Sequence, residues 1–244
     1  MSKFRRLAIS AYWEINKILG KMWRKLEYIW SHRYIWIKNM QIKNILDVWA
    51  SRWQSVERRS SLLWNDINFY CFEPLKTPFS IISNKYSDHK NVNIYNHALW
   101  NENNSKDMYV SNMDDSSSLL APTSVMTDTY QQIHFDNNES IQIKKLDDIF
   151  VGLKVVWNTL MKVDTQWFEG MVFEWWEQTL RKNVNIIVVE LSFEEFYKDQ
   201  PLFDDIVKQL NGYGFRYYGS FEQSANPTDG KPLQQDAYFV NTNL

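Results

Sequence analysis

The chain has 244 residues, 44% of them hydrophobic and 23% charged, with a net charge of −2. That is enough apolar material for one packed domain with a short appendage, and it excludes an intrinsically disordered chain. A lone cysteine, Cys71, excludes an internal disulfide framework and fits a reducing cytosol, so a cytoplasmic protein is expected. No apolar run reaches the roughly 18 residues of a spanning helix, and the basic N-terminus lacks the apolar core of a signal peptide.

Charge is unevenly spread. Residues 1–43 hold ten Lys/Arg against Glu14 and Glu27, a net +8, while the remaining 17 Lys/Arg and 27 Asp/Glu leave −10. A basic, aromatic-rich segment suits a membrane surface or a nucleic acid. The simpler reading is a solvated helix docked on an acidic domain. Glycine is scarce: average usage of about 7% gives roughly seventeen in this length, against seven present and twelve tryptophans.

In chain order, Phe4, Leu7, Ala8, Ala11 and Ile15 recur at helical spacing, and residues 1–40 read as a basic helical segment. The rest, 41–244, reads as one domain. Ile42 to Val48 is a strand, Ser51 to Leu63 a helix, and Ile67 to Phe72 a second strand closed by Glu73-Pro74. A helix over Thr77–Tyr86 precedes a strand from Val92 to Leu99 and another near Met108–Val110. Residues 111–140 are rich in Ser, Thr, Asp and Asn without a period, and read as a long polar loop, a lid or a mobile connection. Ile141–Lys144 is a strand, Leu146–Phe150 a short helix, Leu160–Val163 a strand and Glu169–Leu180 a helix. The unbroken apolar run Val184–Val189 has the look of a central parallel strand buried on both faces. A helix over Leu202–Leu210 stops at Gly212, and Phe215–Tyr218 with Ala237–Val240 close the domain as strands. This alternation predicts an α/β, doubly wound, mostly parallel sheet with N-terminal helices. A sheet of that kind needs more glycine at its turns than average, which conflicts with the count.

Three segments carry chemistry. Ile45-Leu46-Asp47-Val48-Trp49-Ala50-Ser51-Arg52-Trp53-Gln54 follows a strand and opens a helix. With glycine at positions 49 and 53 it becomes D-V-G-A-x-x-G-Q, a loop whose backbone turns tightly and approaches a ligand without a Cβ in the way. Glu73 ends the next strand, where an acid accepts hydrogen bonds from ribose hydroxyls; a solvated strand-end acid is the simpler reading. The third segment runs from Leu160 through Lys162-Val163-Asp164-Thr165-Gln166-Trp167-Phe168-Glu169-Gly170 to Glu174-Trp175-Trp176-Glu177.

These segments resemble the FkbM-type methyltransferases, whose K-[IV]-D-x-[QE]-G-x-E pattern is matched by Lys162, Asp164, Gln166 and Glu169. Phe72-Glu73-Pro74, Ala98-Leu99-Trp100, Ile187 to Ser192, Gln200-Pro201-Leu202-Phe203 and Gln235 to Val240 extend the resemblance over roughly 42–244. It implies a Rossmann-like class I methyltransferase fold with an antiparallel closing strand and S-adenosylmethionine as cofactor. Asp47, Trp49, Ala50, Trp53, Glu73 and Ala98 fall at its cofactor-binding positions. Trp49, Trp53, Trp100 and Trp167, with Trp175 or Trp176 or both, sit on family glycines. A gene whose UGA codons mean glycine gives this pattern when UGA is written as tryptophan; a degenerate paralogue without cofactor is the rival account.

The implied chemistry is O-methylation of a hydroxyl on a sugar or other small metabolite, a carbohydrate-like acceptor and no nucleic acid. Asp164, at a strand's C-terminal end, and Glu169 are expected at the reacting centre, with His97 as a third catalytic candidate. Each has a structural alternative: Glu169 as a first-turn acid at a helix N-terminus, His97 as an ordinary buried histidine. His32, His89 and His134 lack ligand spacing and no metal site is expected. Two other readings remain at this point: a nicotinamide-dependent oxidoreductase on a similar sheet, and a non-catalytic methyltransferase-fold protein acting at a partner or membrane surface through residues 1–43.

Overall fold

The structure, a computed structural model, describes residues 36–37, 39–51, 67–112, 116–153, 155, 158–166, 168–226 and 228–244. The chain divides into two compact units, Met1–Gln41 and Ile42–Leu244. In the first, Trp36, Ile37 and Asn39 are helical and Ile37 is buried; the other expected N-terminal helical residues lie outside the described ones, as does nearly all of the helix expected over Ser51–Leu63.

The second unit is built on a seven-stranded sheet. Its strands are β1 (Asn44–Val48), β2 (Asn68–Phe72), β3 (Val92–Tyr95), β7 (Thr159–Val163), β8 (Val184–Ser192), β9 (Phe215–Ala225) and β10 (Pro232–Asn241). They lie in the order β3-β2-β1-β7-β8-β10-β9. The first five are parallel neighbours, and β10 runs antiparallel to both β8 and β9. This is the doubly wound sheet with an antiparallel strand that the sequence predicts. Every residue of β1 is buried, and six of the first eight in β8, as central strands covered on both faces must be.

Between β3 and β7 the chain makes a second, three-stranded sheet, β4-β6-β5, from β4 (Ala98–Trp100), β5 (Asn104–Ser111) and β6 (Phe135–Lys145). Two expectations change here. The single strand expected from Val92 to Leu99 is divided between two sheets, because Asn96 turns inward and donates to the carbonyls of Glu73 and Pro74, both at 3.0 Å. Residues 111–140 are not one long loop: helix α2 (Ser124–Thr129) and the first half of β6 lie inside them. The polar letters of β6 hid it, since Phe135 to Ser140 forms its ladder with β5 while leaving most side chains at the surface.

Helices α1 (Lys76–Lys85), α3 (Leu146–Phe150) and α6 (Phe203–Gly212) fall where expected. Helix α6 buries Ile206 and Leu210, one turn apart. It runs through Gly212, and the residue that reverses the chain into β9 is Gly214, at φ +94°. The helix expected over Glu169–Leu180 is two, α4 (Glu169–Trp175) and α5 (Glu177–Asn183). The break is at Trp176, whose backbone leaves the helical region (φ −110°, ψ 14°) and whose indole is 1% exposed. Gly170 allows α4 to pass Pro201, since a Cβ there would lie 2.9 Å from its Cγ.

Candidate active site

The C-terminal ends of β1, β2, β7 and β8 gather the polar groups of the sheet, the edge at which α/β sheets hold their ligands. At β1 the chain turns through Trp49 and Ser51, both left-handed (φ 74° and 48°). The amides of Trp49 and Ala50 donate to the carbonyl of Phe72 at 2.9 and 3.0 Å. Glu73, 1% exposed, closes the turn: its carboxylate accepts from the amides of Ser51 at 2.7 Å and Leu75 at 2.8 Å. A left-handed backbone is rare for a bulky residue and natural for glycine. The Trp49 indole is 4% exposed and belongs to the same buried cluster as Phe72, Leu75 and Ala98.

Strand register places the second group. Asp47 faces Lys162 across β1 and β7, and Val163 faces Val189 across β7 and β8. Asp164 and Glu190 therefore emerge side by side, and Glu190 is paired in turn with Asp236 on β10. Lys162 Nζ lies 3.0 Å from Asp164 Oδ2 and 3.6 Å from the fully buried Asp47 carboxylate. Burial pulls the Lys162 pKa down, but the two carboxylates outweigh it and hold the ammonium firmly charged. Gln166 Nε2 donates to Asp164 Oδ1 at 2.8 Å.

Beyond this row opens a cleft of ≈ 240 Å³. Its lining is polar at Ser116, Asp164, Gln166, Glu190 and Gln234 and apolar at Tyr130, Phe196, Met126 and Ile133, which pack in one cluster. Gln234 Nε2 donates to Glu190 Oε1 at 2.6 Å. Ser118 Oγ donates to the carbonyl of Gln166 at 2.8 Å, tying the segment after β5 to the cleft rim. Among the described residues no group of three or more His, Cys, Asp and Glu is placed to hold a metal ion. Among them, too, no helix is long and apolar enough to cross a membrane.

The family described as the methyltransferase FkbM domain matches residues 42–217. The chain belongs to the FkbM methyltransferase-domain family. No functionally curated protein matches the sequence. Among solved structures, the FkbM methyltransferase of Methylobacillus flagellatus KT is similar at a TM-score of 0.50 and 11% identity, over 82% of this chain and 44% of that one. The chain thus spans less than half the length of that relative. Aeropyrum pernix fibrillarin, solved with S-adenosyl-L-methionine bound, gives 0.43 at 11% identity over 81% of this chain and 66% of that one. Magnesium protoporphyrin IX methyltransferase of Synechocystis PCC 6803, also with S-adenosylmethionine, gives 0.43 at 10% identity over 88% and 79%.

Against the FkbM pattern, the structure brings Asp47, Lys162, Asp164 and Gln166 into one bonded row. Trp49, Ala50 and Glu73 form the turn beside it, and Ala98 is buried in β4. Glu169 stands apart from the cleft. It is 2% exposed and its Oε1 accepts from the Thr165 amide at 2.8 Å and the Thr165 hydroxyl at 3.0 Å. Burial, then the charge of Asp164, push its pKa up to about 7 despite those bonds. His97 is also away from the cleft, 6% exposed, against the rings of Phe72 and Tyr95. Burial, then Lys144, push its pKa down to about 4, and among the described residues its Nε2 has no hydrogen-bond partner. Trp53 and Trp167 lie outside the described residues. Glu190, Gln234 and Tyr130 escaped the sequence reading. One signal was present: Glu190 is the acid that ends the apolar run of a central strand.

Proposed function

We propose that this FkbM-family protein transfers the methyl group of S-adenosylmethionine to a hydroxyl of a sugar or similar small metabolite. The mixed lining of the cleft carries this reading. Its carboxylates and carboxamides suit the donors and acceptors of a polyhydroxylated ring, and the rings of Tyr130 and Phe196 suit its apolar face. At ≈ 240 Å³ it is small beside typical ligand pockets of roughly 300–1,000 Å³, matching one sugar-sized unit. The carboxylates of Asp164 and Glu190 oppose a phosphate backbone, so a nucleic acid is not the proposed acceptor. Cys71, a buried free thiol, fits the proposed cytoplasmic location.

The donor's residues fit in backbone and in acid. The turn at 49–51 is already in the conformation a side-chain-free loop adopts, and Glu73 ends β2 beside it, its carboxylate held by the Ser51 and Leu75 amides. When bound, the cofactor supplies an electrophilic methyl on a sulfonium. Glu73 and the 49–51 backbone would line its nucleoside; Asp164 and Gln166 would orient what faces it. The Trp49 side chain is the misfit. We propose that glycine occupies position 49 in the working protein, with 53, 100, 167 and 175 or 176 as further sites of the same exchange. The +74° φ at 49 supports this. The same buried indole favours the non-catalytic reading if tryptophan is the true residue. Incubation with methyl-labelled S-adenosylmethionine and a panel of methyl glycosides tests the proposal. Labelled methyl ether is the expected product, and label left wholly on the donor contradicts it.

A further inference from the structure

A hydroxyl is a poor nucleophile until its proton has somewhere to go, and three carboxyls stand near enough to the cleft to be considered. Asp164 is committed: one oxygen meets Lys162 at 3.0 Å and the other accepts from Gln166 at 2.8 Å. Glu169 is turned back onto Thr165 and lines no part of the cleft. Glu190 differs from both. It lines the cleft, its Oε1 is fixed by Gln234 at 2.6 Å, and among the described residues no hydrogen bond reaches its Oε2.

We propose that Glu190 is the catalytic base, taking the acceptor's proton on Oε2, with Gln234 as its positioning residue. This rests on the methyltransferase reading of the cleft. In the step, a C–O bond forms as the donor's C–S bond breaks and the sulfonium becomes a neutral thioether. The hydroxyl proton passes to Glu190, which returns it to water after product leaves. Geometry makes Glu190 reachable, and its surroundings make it basic. Burial raises its pKa well above the ordinary carboxylate range. Asp164 on β7, Asp236 on β10 and Glu169 on α4 add to the rise, and Lys162 on β7 opposes it. The ionised form is the active one, so the rate climbs as pH rises through that raised pKa and levels above it.

The test uses the full chain, with whichever residue its source places at 49. Three quantities are measured: S-adenosylmethionine affinity by calorimetry, methyl transfer to methyl glycosides from pH 5 to 9, and the carbon resonances of ¹³C-labelled glutamate carboxyls. Glu190→Gln should keep donor affinity and KM within about twofold while kcat falls about 10²–10⁴-fold. The pH limb should vanish with it. The resonance missing from Glu190→Gln should titrate in wild type at the midpoint of that limb. Asp236→Asn, which removes a neighbouring negative charge, should move limb and resonance together to lower pH. A Glu190→Gln protein with wild-type kcat and an unchanged limb overturns the proposal, as does a Glu190 carboxyl that titrates near 4. Absence of donor binding in the wild type, or of transfer to any glycoside, instead overturns the functional reading beneath it.

Discussion

The two halves of the site are built differently. At the ends of β1 and β2 the work is done by backbone: three consecutive amides, at 49, 50 and 51, are satisfied by one carbonyl and one buried carboxylate. At the ends of β7, β8 and β10 it is done by side chains that register alone sets beside one another. A backbone site depends on what a residue lacks, so one added side chain damages it. A side-chain site depends on what residues carry, and tolerates change between its anchors. Lys162 is the bond between the halves, touching Asp47 on one side and Asp164 on the other.

Removing that link breaks the comparison most directly. Lys162→Met should destabilise the fold by about 3–5 kcal/mol in urea unfolding, because Asp47, 0% exposed, loses its cation. A loss under about 1 kcal/mol would mean the halves stand independently. Glu169 gives the next effect. Its folded pKa of about 7 exceeds the unfolded value, so the native state binds the extra proton and stability falls as pH rises from about 4.5 to 7. The interval corresponds to roughly 3 kcal/mol. Glu169→Gln should flatten the decline of Tm with pH across it, and an unchanged decline would place the titrating group elsewhere. His97 gives the smallest effect. Held down to about 4, it is neutral throughout pH 6–9, so His97→Gln should leave the shape of the rate profile unchanged there, and its imidazole NMR signals should titrate only near pH 4.

The sheet was legible because its central strands are nearly pure apolar runs, Val184–Val189 above all, and because helices separate them. The β1–β2 half of the candidate site was the easier to read, since Asp47, position 49 and Glu73 lie at the ends of two neighbouring strands at fixed spacing. The cleft half was not. Tyr130, Asp164, Glu190 and Gln234 are scattered over a hundred residues; pairing register aligns the last three and the end of α2 brings in Tyr130, neither of which sequence prints. The segment 111–140 misled because an exposed strand with a polar face and a short helix leave no apolar period to read. Trp176 misled for another reason: it is compatible with a helix by propensity, and no Gly or Pro marks the break there between α4 and α5.

The most direct test of the central claim is calorimetric titration of S-adenosylmethionine into two proteins, the chain as written and Trp49→Gly with Trp53→Gly. The account predicts one donor site in the glycine form, at least about 100-fold tighter than in the tryptophan form, a difference of roughly 2.7 kcal/mol. No binding to either protein would contradict it, and would leave a methyltransferase fold that does something else.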